Sequence, residues 1–184
     1  MTTSHVWVIS GPSAVGKGTV CARLKELHPE LFYSVSMTTR EPRPGEIDGV
    51  SYRFVSVEDF KSLIEDGEFL EWAVVHGTNF YGTPRRPVLE ALEAGNQVIL
   101  EIDLQGARQV KQNLPEAKLV FLTPPSWDEL VHRLQGRGTE DPAAQERRLA
   151  TAKVELDAIA EADHIIENRD LEVTVATLVS LLGL

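Results

Sequence analysis

Lys17 follows the glycine-bracketed stretch Gly11-Pro12-Ser13-Ala14-Val15-Gly16 and precedes Gly18-Thr19. This spacing suits phosphate chemistry. Glycines let successive backbone N–H groups converge on one anion, and a lysine just behind them adds a mobile positive charge. A chance glycine-rich turn would look the same in isolation. The flanks decide for a phosphate loop: Val6-Trp7-Val8-Ile9-Ser10 reads as a strand, and a helix beginning near Lys17 turns its positive end toward the same anion. Gly18 stands where a serine or threonine hydroxyl normally ligates Mg²⁺, and Thr19 comes one residue late, so a metal contact is direct or through water.

Arg40, Arg43, Tyr52 and Tyr81 lie in or beside long polar segments and offer guanidinium forks and phenolic donors. Such a set could clamp a second phosphate; individually, loop arginines are solvated and tyrosines pack. Glu71 and Asp103 occupy strand-like stretches that are otherwise apolar, where an unpaired charge is costly. A carboxylate there accepts the adjacent N1–H and amino donors of guanine and opposes adenine, whose N1 is itself an acceptor. An ordinary salt bridge to a nearby arginine explains them equally well. Arg133 and Arg137 are one helical turn apart and Arg147-Arg148 follow soon after. They form either a solvated face or a set of cations brought over a transferring phosphoryl group.

These residues need elements to hold them. Val20, Leu24 and Leu27 recur at helical spacing until His28-Pro29. Tyr33 to Met37 alternates like a strand and runs into Thr38 to Val50, a long loop rich in proline, glycine and charge. Tyr52 to Val55 reads as a short strand, Ser56 with Asp59 caps a helix that ends at Gly67, and Phe69 to Val75 alternates again. His76 to Gly82 reads as a turn before a helix around Val88 to Ala94. Gln97 to Asp103 and Ala117 to Leu122 are continuous apolar runs, as expected of strands covered on both faces. Ser126 with Glu129 and Asp141-Pro142 start two further helices, and Gln135 to Glu140 between them has the composition of a mobile flap. His164 to Ile166 is a last strand and Leu171 to Leu184 a closing helix with Val175, Leu178, Val179 and Leu182 on one face. Alternating strands and helices imply an open, mostly parallel α/β sheet with ligands beyond the carboxyl ends of its strands.

The chain's 184 residues suit one domain, and its net charge of −10 argues against a general nucleic-acid or anionic-membrane binder. No apolar run is long enough to span a bilayer and the N-terminus lacks a signal-peptide pattern, so a cytoplasmic protein is expected. The single cysteine, Cys21, reads as a small buried hydrophobe, and the histidines lack metal-ligand spacing.

Taken together, the chain resembles a guanylate kinase over nearly its whole length. Gly11-Pro12-Ser13 before Gly16-Lys17, Ser34 through Glu46, Glu71-Trp72, Tyr81-Gly82-Thr83, Ile102 through Gly106 and Gly136 through Glu140 match that family in order. Any one match is weak, but together and in register they are highly specific. The resemblance implies a P-loop nucleoside monophosphate kinase fold: a parallel core sheet flanked by helices (1–35, 91–124 and 149–184), a small mixed-sheet GMP-binding insertion (36–90) and a helical lid (125–148). It implies transfer of a phosphoryl group from ATP, with Mg²⁺, to GMP in guanine nucleotide metabolism. Ser36, Glu71, Thr83 and Asp103 would bind guanine, and Arg40, Arg43, Tyr52 and Tyr81 the GMP phosphate. Residues Gly11, Pro12, Ser13, Ala14, Val15, Gly16, Lys17, Gly18 and Thr19 would bind ATP, with Asn168 near the adenine. Lys17, Arg40, Arg133, Arg137 and Arg148 would attend the transferring group. Glu101 stands where the family commonly has aspartate and would order a metal-bound water. The alternatives are an inactive guanylate-kinase-like module that binds a phosphorylated peptide, disfavoured by Gly16-Lys17 and the flap arginines, and a kinase for another base, disfavoured by Glu71 and Asp103. A monomer and a homodimer are both compatible with the sequence.

Overall fold

The computed structural model describes residues 5–75, 78–135 and 142–184. Its centre is β1 (Val6–Ser10), every residue of which is buried. Alternation sends Trp7 and Ile9 to one face and Val6 and Val8 to the other, so a single strand feeds two cores. With β2 (Phe32–Tyr33), β7 (Val98–Glu101), β8 (Lys118–Thr123) and β9 (His164–Glu167) it forms a five-stranded parallel sheet, ordered β2-β7-β1-β8-β9. Helices α1 (Lys17–Leu27) and α7 (Leu171–Leu182) cover the Trp7/Ile9 face through Leu24, Leu178 and Leu182. Helices α3 (Arg85–Glu93) and α4 (Leu104–Asn113) cover the other through Val88, Ala107 and Val110. The continuous apolar runs at 98–100 and 119–122 follow from this double coverage.

A second sheet, ordered β4-β3-β6-β5, contains β3 (Met37–Thr38), β4 (Arg53–Phe54), β5 (Phe69–Val75) and β6 (Asn79–Pro84). β3 and β4 are parallel and the other pairings antiparallel. Helix α2 (Val57–Glu65) packs beneath it: Phe60, wholly buried, stacks on Phe69 at 4.4 Å and meets Phe80 at 5.3 Å. The expected cap is present, since Ser56 Oγ accepts the Asp59 N–H at 3.0 Å, a contact worth about 1 kcal/mol. Helix α5 (Trp127–Gln135) starts likewise, with the Glu129 N–H on Ser126 Oγ at 3.1 Å. Helix α6 (Pro142–Asp157) leads through a 3-10 turn at Ile159–Glu161 into β9.

The edge of β5 is closed by α4. The Gln109 side chain accepts the Trp72 N–H at 3.2 Å and donates to the Trp72 carbonyl at 3.0 Å, and Asn113 Nδ2 donates to the Leu70 carbonyl at 2.8 Å.

Some expectations need correction. The strand expected over Tyr33 to Met37 is two short strands in different sheets, because the chain leaves the core at Ser34 and joins the second sheet at Met37. The turn expected up to Gly82 is in large part strand β6, and the following helix starts at Arg85. Asp103 lies beyond the strand, at the N-cap of α4. His76, Gly77, the flap residues 136–140 with Arg137, and Asp141 lie outside the described residues. Among the described residues no helix is long and apolar enough to cross a membrane.

Candidate active site

β1 ends at Ser10 and the chain turns through Gly11 to Gly16 into α1. Gly16 sits at the N-cap with φ 103° and ψ 19°, and no side chain caps the helix, so the first-turn N–H groups stay available to an anion. A Cβ at Gly16 would stand 2.6 Å from Asn168 Nδ2 besides occupying left-handed backbone space. Lys17 Nζ donates to the carbonyls of Gly11 and, at 3.3 Å, Pro12. Burial lowers its pKa, while the nearby carboxylates of Glu155, Glu101 and Asp103 oppose that shift.

The loop is braced from behind. Asn168, 8% exposed, donates from Nδ2 to the Val15 carbonyl at 2.8 Å and accepts the Thr174 hydroxyl on Oδ1 at 3.0 Å. Both ends of this amide are thus engaged within the protein. It serves as a strut for the loop. Arg133 Nη1 donates to the carbonyls of Val15 at 3.3 Å and Asn168 at 3.2 Å, and its Nε to Glu129 at 2.9 Å. Its Nη2 amino group makes no hydrogen bond among the described residues. Glu155 of α6 comes close to the Ser13 backbone and Lys17; burial raises its pKa, and its Oε2 is buried without a hydrogen-bond partner among the described residues. Arg148 lies two helical turns before Glu155 on α6. Nothing in the sequence pattern singled out Glu155 or Thr174.

A cleft of about 200 Å³ opens between the two sheets, lined by Ser36, Tyr52, Glu71, Tyr81, Glu101 and Asp103 among others. Glu71 is buried in β5 and accepts the Thr83 hydroxyl at 2.6 Å. Burial raises its pKa to about 7, with Asp103 adding to the rise and Thr83 opposing it. Asp103 Oδ1 accepts the Gly106 N–H at 2.7 Å, capping α4. The two carboxylates converge there: Glu71 Oε2 lies 3.0 Å and Asp103 Oδ1 3.4 Å from where a Cβ on Gly106 would stand. Neither forms a salt bridge among the described residues, so the ion-pair explanation of these carboxylates does not hold there.

On the far side of the cleft, Arg40 Nε donates to Tyr81 OH at 3.0 Å and its guanidinium lies over the Tyr52 ring at 5.2 Å. Its terminal nitrogens reach Glu46 at 2.7 and 2.8 Å. The Arg43 side chain is exposed, while its backbone N–H donates to Glu46 Oε2 at 2.8 Å. Three of the four proposed clamp residues therefore touch one another, and Arg43 adjoins them through Glu46.

Glu101 ends β7 against the first turn of α1, its Oε1 3.4 Å from where a Cβ on Gly18 would stand. It remains partly open to solvent, yet lost hydration raises its pKa, with Lys17 and the neighbouring Cys21 opposing the rise. This carboxylate beside a loop with no hydroxyl at position 18 fits a Mg²⁺ held mainly by phosphate oxygens and water. Among the described residues no cluster of His, Cys, Asp and Glu forms a self-sufficient metal cage. A larger groove of about 960 Å³ between β9 and α7 carries no convergent charge, and its carboxylate, Asp163, is already engaged by Lys111 and the Leu119 N–H.

Comparison with known proteins identifies the family. The guanylate kinase family model matches residues 3–183. A guanylate kinase of Streptomyces coelicolor is 61% identical over 174 residues, covering 95% of this chain and 88% of its own. One from Leifsonia xyli is 56% identical over 178 residues, covering 97% and 70%. The crystal structure of guanylate kinase from Anaplasma phagocytophilum superposes with a TM-score of 0.79 at 33% identity, covering all of this chain and 86% of that one. With the family model matching residues 3–183 and a relative 61% identical over 95% of the chain, the chain belongs to the guanylate kinase family.

Proposed function

We propose that this chain transfers the γ-phosphoryl group of ATP reversibly to GMP, giving ADP and GDP, with residues 36–90 serving as the GMP-binding unit and 125–148 as a lid. The observation that carries the reading is Glu71, a buried carboxylate with no cationic partner among the described residues, aimed into a cleft with Asp103, Ser36 and Thr83 close by. Guanine's N1–H and amino group would supply donors beyond the Thr83 hydroxyl and the Gly106 N–H that these carboxylates already accept. Adenine would present an unpaired acceptor instead.

The GMP phosphate would then lie toward Arg40, Arg43, Tyr52 and Tyr81, and one of its oxygens would attack in line. The loop from Gly11 to Thr19 would hold the ATP phosphates on backbone N–H groups, with Asn168 bracing Val15 from behind. Lys17 would exchange its Gly11 and Pro12 carbonyls for phosphate oxygens. Arg133 would offer its remaining amino group, and Arg137 and Arg148 would add positive charge as the lid closes. Mg²⁺, when bound with ATP, neutralises phosphate charge, and Glu101 would hold it through an ordered water. Closing over both nucleotides would also exclude water, the competing acceptor.

The test is ADP formation from ATP and Mg²⁺ with GMP, AMP or UMP supplied in parallel, with Lys17→Ala as the control. Turnover with GMP alone, lost in the variant, is expected. GMP binding without any turnover would instead favour a binding module.

A further inference from the structure

The Arg40 side chain is 11% exposed, and its guanidinium is nearly spent before any ligand arrives. Of its five N–H bonds, Nε–H goes to Tyr81, both of Nη1 to the Glu41 carbonyl and Glu46 Oε2, and one of Nη2 to Glu46 Oε1. Among the described residues a single N–H is left. A phosphate therefore cannot take Arg40 by its fork, as an exposed arginine would allow, unless Glu46 lets go.

Glu46 is not a casual surface partner. Its Oε2 also accepts the Arg43 N–H at 2.8 Å, so one carboxylate ties together the two arginines proposed to meet the GMP phosphate. The Arg43 carbonyl in turn accepts the Glu46 N–H at 3.0 Å, closing a tight turn around the group. Tyr81, accepting from Arg40, has its own O–H left to donate outward. The hydrogen bonds from Arg40 and Arg43 hold Glu46 at a pKa of about 2, so it remains an anion throughout the working range.

We propose that Glu46 is a positioning residue of the phosphate clamp: it holds Arg40 by its fork so that one remaining N–H, the Tyr81 hydroxyl and the Arg43 side chain converge as separate single donors on the GMP phosphate. This rests on the clamp assignment proposed above. Single donors from several directions match a terminal phosphate, whose oxygens point three ways, better than one planar fork does. The cost is the net charge of the Arg40–Glu46 pair, which is zero. The return is a side chain already locked in place, with no rotamer freedom left to lose on binding.

The experiment measures GMP and guanosine affinity by calorimetry and the steady-state KM and kcat for Glu46→Gln, Glu46→Asp, Arg40→Ala and the Arg40→Ala/Glu46→Gln pair. Glu46→Gln is expected to weaken GMP by about tenfold, the loss of one charge-assisted contact. Guanosine, which lacks the phosphate, and ATP should bind as before. Glu46→Asp, which keeps the charge on a shorter arm, should fall between and guards against a misfolded first variant. In the Arg40→Ala background Glu46→Gln should have no further effect on GMP. Tighter GMP binding in Glu46→Gln would overturn the proposal, because Glu46 would then be a competitor for the fork. Unchanged GMP affinity, or equal weakening of guanosine, would overturn it too. If Arg40→Ala leaves GMP affinity intact, the clamp assignment itself fails and the role of Glu46 falls with it.

Discussion

The phosphate loop and the arginine cluster of the second sheet would each hold a phosphate, yet they are built from different parts of the chain. In the loop the donors would be chiefly backbone N–H groups, joined by Lys17, and Asn168 braces the turn from behind. In the cluster the donors are side chains, and the backbone merely helps to hold Glu46. Conformation therefore governs the first site and charge the second. A backbone site is ruined by any residue that cannot adopt its dihedral angles, whereas a side-chain site loses one donor at a time and feels salt and pH.

The largest effect should come from Gly16→Ala, which puts a Cβ 2.6 Å from Asn168 Nδ2 at a φ of 103°. Turnover per unit ATP should drop at least about a hundredfold through the misplaced first turn, while calorimetry should show GMP binding intact. If GMP suffered equally, the two sites would not be separable. Next comes Glu71→Gln, expected to weaken GMP by roughly ten- to a hundredfold because the amide presents a donor to a donor. The same change should stabilise the ligand-free protein at pH 8. Glu71 titrates near 4.5 when unfolded and about 7 when folded. Between those values the folded state binds the extra proton, so stability falls as pH rises through that window and stays low above it. The gain in Tm should accordingly vanish toward pH 4.

A smaller and related effect is the pH dependence of wild-type GMP affinity, which should weaken as pH falls from 8 to 6 and Glu71 takes up a proton. A flat profile would mean that Glu71 binds GMP uncharged or not at all. Smallest is Arg43→Ala: as an exposed cation it should change KM for GMP by about threefold. That difference should shrink as salt approaches 1 M, where screening acts over only about 3 Å. Comparable salt sensitivity in Gly16→Ala would blur the contrast between the sites.

The core was legible because its strands are buried on both faces, so Val98-Ile99-Leu100 and Leu119 to Leu122 needed no alternation to be read. Caps at Ser56 and Ser126 were legible because they are local. Strand β6 was missed for a physical reason: Gly82 looked like a turn glycine, but it is there for space. A Cβ at that position would lie 2.8 Å from Phe69 and 2.9 Å from the Glu71 carbonyl. Much of the candidate site came from resemblance to a family and not from pattern. Glu46, Glu155 and Thr174 belong to no periodicity, and Asn168 meets Val15 across 153 residues of chain, a contact that no local rule reaches. Arg133 was expected over the phosphoryl group; its grip on two loop carbonyls could be seen only in three dimensions.

The amides of Gln109 and Asn113 take the place of a neighbouring strand along β5. They stitch one margin of the second sheet to the core, while β4 lies at the opposite margin. A sheet sewn along one side would swing like a page about its spine: Glu71, in β5 beside the spine, would scarcely travel, whereas Arg40 and Tyr52, toward the other margin, would sweep a wider arc. On the proposed reading, the base would then meet groups already stationary and the phosphate would meet groups that move.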